Sequence, residues 1–211
     1  GPSSAGPGAG AGAGAAYSRP EHGSEKTYFT PVSYCQFATQ PLTAQQQEVI
    51  LPRGEGCWDT AQVMSSFRLD HKGRLIIGGL GSLEDTGAQT HVNWAHRQLH
   101  ALFPKIKTYE FDYMWSGRIA MTPDKLPKIG AIGPQAISLY GYSGRGIGPA
   151  TRLGLAAAHW AMGADESTLP MTISCPKIDR YWRLKSAYYD TGVLLTHWLG
   201  KRLRTRHHRW F

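Results

Sequence analysis

The sequence predicts an α+β protein, in which strands and helices follow one another without a strict βαβ repeat. Two strand-like segments, Val63–Leu69 and Arg74–Gly79, precede a helix-like segment, Gln89–Phe103. A third strand-like region, Lys107–Met121, leads to a second half in which short apolar strands precede a glycine-rich loop and a helix. The order β-β-α-β, followed by strand–loop–helix, favours a mixed sheet.

The first two strands have the pattern of a β-hairpin. They flank a four-residue turn, 70–73, that ends in glycine, and such a turn between strand-like segments is a good hairpin signal. In the helix-like segment the apolar residues recur at helical spacing, and Pro104 ends the run. The first half therefore predicts a hairpin that is followed by one amphipathic helix.

The second half contains two short apolar strands, Ile129–Ile132 and Ile137–Tyr140. A helix follows over Ala150–Met162, and Gly163 stands where a helix C-terminal cap is expected. A final helical segment covers Ile178–Leu203.

Charge and cysteine content narrow the function classes. The 211-residue chain has a net charge of +8, but five basic residues lie in the last eleven positions, without an acid among them. Without these five residues, the net charge of the rest of the chain is about +3. Residues 201–211 are therefore predicted to be a solvated basic tail. The body of the chain has no basic stripe, so nucleic-acid binding is not expected, and anionic-surface binding by the tail is the alternative. Three widely spaced cysteines fit a reducing cytoplasm and predict neither a disulfide framework nor a zinc knuckle.

The start of the chain is of low complexity, and residues 1–26 are predicted to be a disordered Gly/Ala-rich segment. Gly8, Gly10 and Ala13 formally match the dinucleotide pattern G-x-G-x-x-A. Such a match is expected by chance in a Gly-Ala repeat, and no acidic residue follows at the required distance. No membrane span and no signal peptide are expected.

The most informative segment is the glycine-rich loop before the second helix. It consists of Gly141, Tyr142, Ser143, Gly144, Arg145, Gly146, Ile147 and Gly148, and Pro149 follows. Four glycines within eight residues allow backbone N–H groups to approach a ligand closely. A helix N-terminus at this point would face an electron-rich group.

Three named motifs do not match this loop. A nucleophile elbow would need glycine at Arg145, a P-loop would need Gly-Lys-Ser/Thr, and a dinucleotide fingerprint would need a third glycine at Pro149 or Thr151. A tight strand-to-helix turn without a ligand remains the alternative.

Other chemistry-bearing residues give weaker signals. His96 and His100 are four residues apart on the predicted helix and could bind zinc, but Arg97 stands where a zinc peptidase has glutamate. A polar helix face is the favoured interpretation. Arg118 follows Trp-Ser-Gly and could bind a carboxylate in a bidentate fashion, with an ordinary surface arginine as the alternative. Asp124 is predicted to be a turn residue.

Two motifs together resemble a known family. The segment from Trp115 to Gly130 reads W-S-G-R-I-A-M-T-P-D-K-L-P-K-I-G, and G-Y-S-G-R-G-I-G follows from Gly141. This pair resembles the C-terminal half of FAD-dependent oxidoreductases of the D-amino-acid oxidase family. That family includes glycine and sarcosine oxidases, and the chain looks most similar to its γ-glutamylputrescine oxidoreductase-like members. The resemblance covers roughly residues 27–190.

The resemblance implies a mixed-sheet substrate-binding domain over 27–127 and, over 128–200, the flavin-facing part of an incomplete Rossmann-like FAD-binding domain. FAD is the implied cofactor, and residues 141–148 are the implied cofactor-binding residues. The implied reaction is oxidation of an amine or amino-acid C–N bond by hydride transfer to flavin, with no metal. Arg118, Trp115 and Tyr113 are the expected substrate-binding residues, and no residue is predicted to be an acid/base catalyst.

The family's FAD fingerprint has no counterpart in this sequence outside the low-complexity start. The chain is therefore expected to be a C-terminal portion of such an enzyme, with a missing N-terminal FAD-binding half as its partner. The alternative is a non-catalytic remnant or interaction module.

Overall fold

The computed structural model describes residues 10–13, 28–61, 63–106 and 109–203. The chain divides into two compact units. We call Gly1–Pro31 with Arg118–Lys185 the loop unit, and Val32–Gly117 with Ser186–Phe211 the sheet unit.

The elements follow one another in an order that mixes strands and helices. They are β1 (Gly10–Ala13), β2 (Thr30–Pro41), α1 (Ala44–Gln47), β3 (Cys57–Trp58), β4 (Ser65–Leu69), β5 (Arg74–Leu80), α2 (Ala88–Leu102), β6 (Phe111–Met121), β7 (Lys128–Gly133), β8 (Ala136–Tyr140), α3 (Ile147–Ala161), a 3₁₀ turn (Glu166–Thr168), β9 (Ile173–Ser174) and α4 (Trp182–Leu203). This order confirms the predicted α+β class.

The sheet unit is built on a five-stranded sheet in the order β3-β4-β5-β2-β6. Within it, β3 and β4, β4 and β5, and β5 and β2 pair antiparallel. The predicted hairpin is present as β4 and β5, and its turn is closed by Asp70, whose Oδ1 accepts the Lys72 and Arg74 N–H groups at 2.8 and 2.9 Å. Gly73 completes the turn at φ +75°, a conformation that favours glycine.

One face of this sheet is packed against α2. Phe37 and Ile77 on neighbouring strands are fully buried together with Leu99 of the helix. The Trp94 ring of α2 lies so close to Gly79 that a Cβ there would come within 2.4 Å of it. Burying side chains of this size contributes about 1.5–3 kcal/mol each, which accounts for the helix orientation.

The end of the chain returns to the sheet unit. His197 of α4 lies stacked on Trp94 of α2, with ring centroids 4.1 Å apart, and Leu194 packs against the backbone of Gly87. The predicted boundaries therefore differ from the structure. Apart from Gly1–Pro31, the loop unit begins at Arg118 and ends at Lys185. The rest of α4 belongs to the sheet unit, where His197 packs on Trp94 and Leu194 packs at Gly87.

The loop unit contains a four-stranded sheet in the order β1-β8-β7-β9. Strand β8 runs antiparallel to β7, whereas β1 is parallel to β8 and β9 is parallel to β7. Helix α3 covers this sheet through Leu153 and Ala157, which are buried with Ile129, Ile137 and Leu139. Gly163 ends the helix at φ +99°, as the sequence predicted.

The prediction of disorder for 1–26 is wrong at Gly10–Ala13. These residues form β1, in register from Gly10 opposite Ala136 to Ala13 opposite Leu139. The physical reason is that the edge of β8 offers backbone donors and acceptors, and pairing with them needs no side chain. The formal fingerprint match therefore has Gly10 and Ala13 within a strand, whereas a dinucleotide site needs its glycines in the turn after one. The rest of 1–26 and residues 204–211 of the basic tail lie outside the described residues.

Within the described ranges no helix combines the length and the apolar composition that a membrane crossing requires.

Candidate functional site

The glycine-rich loop connects β8 to α3 in an unusual backbone conformation. Gly141 has φ +84°, Ser143 φ +51° and Gly144 φ +86°. A Cβ at Gly141 would lie 2.7 Å from the Leu126 carbonyl oxygen and 2.9 Å from Thr122 Cγ2. Gly141 is therefore required both for its dihedral angle and for its closeness to the 122–126 segment.

One hydrogen bond joins the loop to that segment, and a second, within the loop, orients the same hydroxyl. Ser143 Oγ donates to the Gly141 carbonyl oxygen at 3.2 Å and accepts the Thr122 N–H at 3.4 Å. The Arg145 N–H donates to the Tyr142 carbonyl oxygen at 2.9 Å. Thr122 is 2% exposed, and its part in the loop was missed by sequence reasoning. Its place in the Trp115–Gly130 motif was the only available signal.

The loop ends in a helix N-terminus without a side-chain cap. Gly146 is the N-cap residue, and there is no side-chain capping hydrogen bond. Ile147 is 93% exposed, and nothing lies within 4 Å of a Cβ at Gly148. In the described structure the side-chain positions of Ile147 and Gly148 thus lie beside open space, at the positive end of the helix dipole.

Tyr142 has a different position from its neighbours in the loop. Its side chain is 4% exposed and packs in the core that contains Ile129 and Leu153. Burial raises the pKa of the Tyr142 hydroxyl, which has no hydrogen-bond partner among the described residues. Tyr142 therefore contributes its backbone to the loop and its ring to the core.

The three predicted substrate-binding residues fall in different units. Tyr113 and Trp115 are 56% and 43% exposed on β6 of the sheet unit. The Arg74 guanidinium lies 5.1 Å from the Tyr113 ring centroid. Arg118, which is exposed, begins the loop unit together with Ile119, and Ile119 Cδ1 would lie 3.5 Å from a Cβ at Gly144. The loop is thus next in space to the segment that carries Arg118.

Asp124 has the predicted turn role. Its Oδ1 accepts the Leu126 N–H at 3.2 Å, and its Oδ2 accepts a hydrogen bond from Lys128 Nζ. The Lys128 hydrogen bond, followed by the Leu126 N–H, lowers the Asp124 pKa to about 2. Asp124 therefore shapes the turn whose Leu126 carbonyl group lies against Gly141.

The two helical histidines pack on aromatic rings. The His96 ring centroid lies 4.4 Å from that of Phe111, and the His100 centroid lies 5.4 Å from that of Tyr109. Burial, and then the neighbouring His100, lowers the His96 pKa. Across the described ranges no group of three or more His, Cys, Asp or Glu residues could hold a metal ion.

Comparison with known proteins identifies the protein family of this chain. Residues 6–160 match the model of the FAD-dependent oxidoreductase family DAO. The chain belongs to this family, and FAD is the family's cofactor. The resemblance found in the sequence is thereby confirmed.

Individual relatives agree with this assignment. The chain is 29% identical over 136 residues to "Probable oxidoreductase OrdL" of Haemophilus influenzae, covering 64% of this chain and 31% of the relative. It is 25% identical over 112 residues to gamma-glutamylputrescine oxidoreductase of Escherichia coli, covering 52% and 26%. The chain therefore spans about a third or less of the length of these relatives.

A solved structure supports the fold alone. Iminodiacetate oxidase from Chelativorans sp. BNC1 has a TM-score of 0.51 at 11% identity, with 72% of this chain and 42% of that chain covered. The partial coverage agrees with the prediction of an incomplete FAD-binding fold.

Proposed function

We propose that this chain provides the flavin-facing loop and the substrate sheet of an oxidoreductase that oxidises the C–N bond of an amine or amino acid. FAD, when bound, supplies the acceptor for the hydride that leaves the substrate carbon. The residues of this chain position the flavin ring and the substrate, which is the main task of the protein in cofactor chemistry of this type.

The backbone of the loop carries the proposal. Gly141, Ser143 and Gly144 hold left-handed conformations, and the uncapped N-terminus of α3 follows directly. Backbone N–H groups near the positive end of a helix favour electron-rich groups, and the pyrimidine edge of a flavin gains negative charge on reduction. The loop at 141–148 therefore fits the ring end of FAD, with Ile147 and Gly148 as the proposed donors.

The substrate-binding role of Arg118 remains a proposal. Its guanidinium can form two parallel hydrogen bonds to a carboxylate, and the neighbouring residue Ile119 contacts the loop at Gly144. Tyr113 and Trp115 are exposed enough to contact a ligand. The name of the Escherichia coli relative suggests a γ-glutamylated amine as one substrate to assay.

A non-catalytic remnant or interaction module is the second candidate. The match to the OrdL relative covers 31% of that relative's length. In both cases a separate FAD-binding half would be the partner. The free cysteines Cys35, Cys57 and Cys175 support a reducing compartment, and we propose the cytoplasm.

Reconstitution tests the proposal. This chain is mixed with FAD and with the part of the Haemophilus influenzae OrdL relative that it does not cover. The mixture should show the visible absorbance bands of a bound flavin, and these should bleach anaerobically when a suitable amine is added. A complex that binds FAD but is never reduced by any amine or amino acid would favour the non-catalytic candidate. A complex without flavin absorbance would reject both the loop assignment and the activity.

The role of Arg118 makes a separate prediction. In the reconstituted enzyme Arg118→Lys should raise KM for a carboxylate-bearing substrate about tenfold, with kcat little changed, because a lysine cannot reproduce the bidentate contact. Steady-state kinetics would measure this. Arg152→Lys, on the exposed side of α3, is the matched control and should leave KM unchanged. An unchanged KM in Arg118→Lys would remove Arg118 from the site.

A further inference from the structure

The five-stranded sheet has a second face, opposite the one that α2 covers. Because side chains alternate along a strand, the neighbours of Phe37 and Ile77 in sequence point away from the helix. Gln36 on β2 lies opposite Gly78 on β5, which lies opposite Ser66 on β4, and Ser66 lies opposite Trp58 on β3. A row of polar and aromatic side chains therefore crosses four strands.

Close contacts fix the centre of this row. The Tyr34 hydroxyl and the Ser66 hydroxyl lie 2.8 Å apart and share a hydrogen bond. A Cβ at Gly78 would lie 2.8 Å from the Tyr34 hydroxyl and 3.0 Å from Gln36 Cγ. The absence of a side chain at Gly78 thus lets the tyrosine lie across the sheet, which holds Ser66 in one orientation.

A pocket of about 150 Å³ opens beside this row. Its lining includes Gln36, Trp58, Ser66, Arg68 and Ile76. The volume is below the range of pockets for drug-sized ligands and suits a small group. We call it the Arg68 pocket.

The pocket carries one positive charge and no negative one. Among the described residues that line it, Arg68 is the only lysine or arginine, and none is an aspartate or glutamate. Arg68 is exposed, and no carboxylate within the described residues forms an ion pair with it. The guanidinium therefore retains its five donors for a ligand, and its planar fork matches a carboxylate.

We propose that the Arg68 pocket binds the carboxylate of a small carboxylate-bearing molecule. Arg68 would form the charged contact, the Gln36 amide would add a neutral donor, and the exposed Trp58 ring would cover the carbon chain. The inference rests on the proposed function for the identity of this ligand as a substrate. It adds a carboxylate contact on the sheet unit to the one proposed for Arg118.

The test is a binding titration on the 211-residue chain without flavin. Glutarate is the probe, and the diamine with the same carbon-chain length is the control probe of opposite charge, both at constant ionic strength. Arginine side-chain NMR resonances report the site. The Arg68 Nε–H resonance should shift and saturate with glutarate, and it should not respond to the diamine.

Variants separate the pocket from general charge effects. Arg68→Lys should weaken glutarate binding about tenfold and Arg68→Gln should abolish it, since the bidentate contact and then the charge are lost. Arg53→Gln removes an exposed cation of the same unit that is paired with Glu55 and should change nothing. Arg68→Gln with wild-type affinity, or glutarate that shifts no pocket resonance, would overturn the inference.

The glutarate titration and the reconstitution experiment can succeed or fail independently of each other. Saturable glutarate binding together with a reconstituted complex that no amine reduces would reject the proposed activity and keep the pocket. Amine oxidation together with no glutarate binding would reject the pocket alone.

Discussion

At the residue scale, the loop depends on three left-handed residues that are held by one neighbouring segment. Ser143 is the only one of them with a side chain, and a non-glycine residue at φ +51° costs on the order of 1–3 kcal/mol. Its hydroxyl bonds to the Thr122 N–H and the Gly141 carbonyl, each worth about 1 kcal/mol. The backbone strain and the hydrogen bonds that offset it thus belong to the same residue. Backbone strain of this kind is common at ligand sites.

Gly141→Ala gives a residue-scale prediction. We expect the free energy of unfolding to fall by about 2 kcal/mol or more, because the dihedral alone costs about 1–2 kcal/mol and the new Cβ meets the Leu126 oxygen at 2.7 Å. Gly163→Ala shares the positive φ but has open space around it, so it should lose less. Gly154→Ala, in the interior of α3 with open space, should be neutral or gain up to about 1 kcal/mol.

Urea denaturation of the three variants measures these differences. Equal losses in Gly141→Ala and Gly163→Ala would show that the contact with Leu126 has no energetic cost and that the loop is not held by the 122–126 segment.

The sequence reveals the loop glycines but not their partners. Four glycines before a helix are visible in any reading of residues 141–148, whereas Thr122 and Leu126 act through a backbone N–H and a carbonyl group. Backbone groups are identical in every residue except proline, so no residue pattern can reveal which of them lies against Gly141. The positive φ of Ser143 was not predictable either, because glycine, and not serine, is the residue that such a conformation favours.

At the element scale, a buried pair of histidines joins α2 to α4. His91 and His197 are 4% and 1% exposed, and their Nδ1 atoms lie 2.8 Å apart. Burial lowers the pKa of both residues. The His197 pKa falls to about 3, with His91 and Arg97 adding to the effect of burial. Asp85 opposes the effect at His91. Both rings are therefore neutral in the folded protein at neutral pH.

The pair predicts acid destabilisation of the sheet unit. As the pH falls below the ordinary histidine value of 6.5, the unfolded chain binds protons that the folded chain does not. The free energy of unfolding therefore falls with decreasing pH, by up to about 1.4 kcal/mol per pH unit for each such histidine. Urea denaturation at several pH values should show the decrease.

Matched variants test the source of that decrease. His197→Phe keeps a ring against Trp94 and should make the fall below pH 6.5 shallower, whereas His71→Gln, in the exposed hairpin turn, should leave the profile unchanged. An identical profile in His197→Phe would show that another group causes the acid sensitivity.

The sequence predicted the elements better than their assembly. Helix α2, helix α3 and the β4–β5 hairpin were each recognised from local periodicity and turn residues. Strand β1 was not, because its Gly-Ala sequence has no pattern and pairs only through its backbone with β8. The return of α4 to α2 depends on His91 and His197, which are 106 residues apart in the chain, and local periodicity carries no information at that range.

At the scale of the whole molecule, the two units hold different parts of one proposed activity. The loop unit carries residues 141–148 and Arg118, and the sheet unit carries Tyr113, Trp115 and the Arg68 pocket. The family resemblance seen in the sequence includes residues of both units. The match of residues 6–160 to the family model confirms it. The chain spans 31% of the OrdL relative, so the proposed activity is to be tested on the reconstituted complex.

Hydrogen–deuterium exchange on the reconstituted complex, with and without FAD, tests the flavin-facing role of the loop most directly. FAD should slow exchange of the backbone amides in 141–148, above all at Ile147 and Gly148, and should leave the exposed turn 70–73 unchanged. Exchange in 141–148 that is the same with and without FAD, while visible absorbance shows that the flavin is bound, would contradict this role.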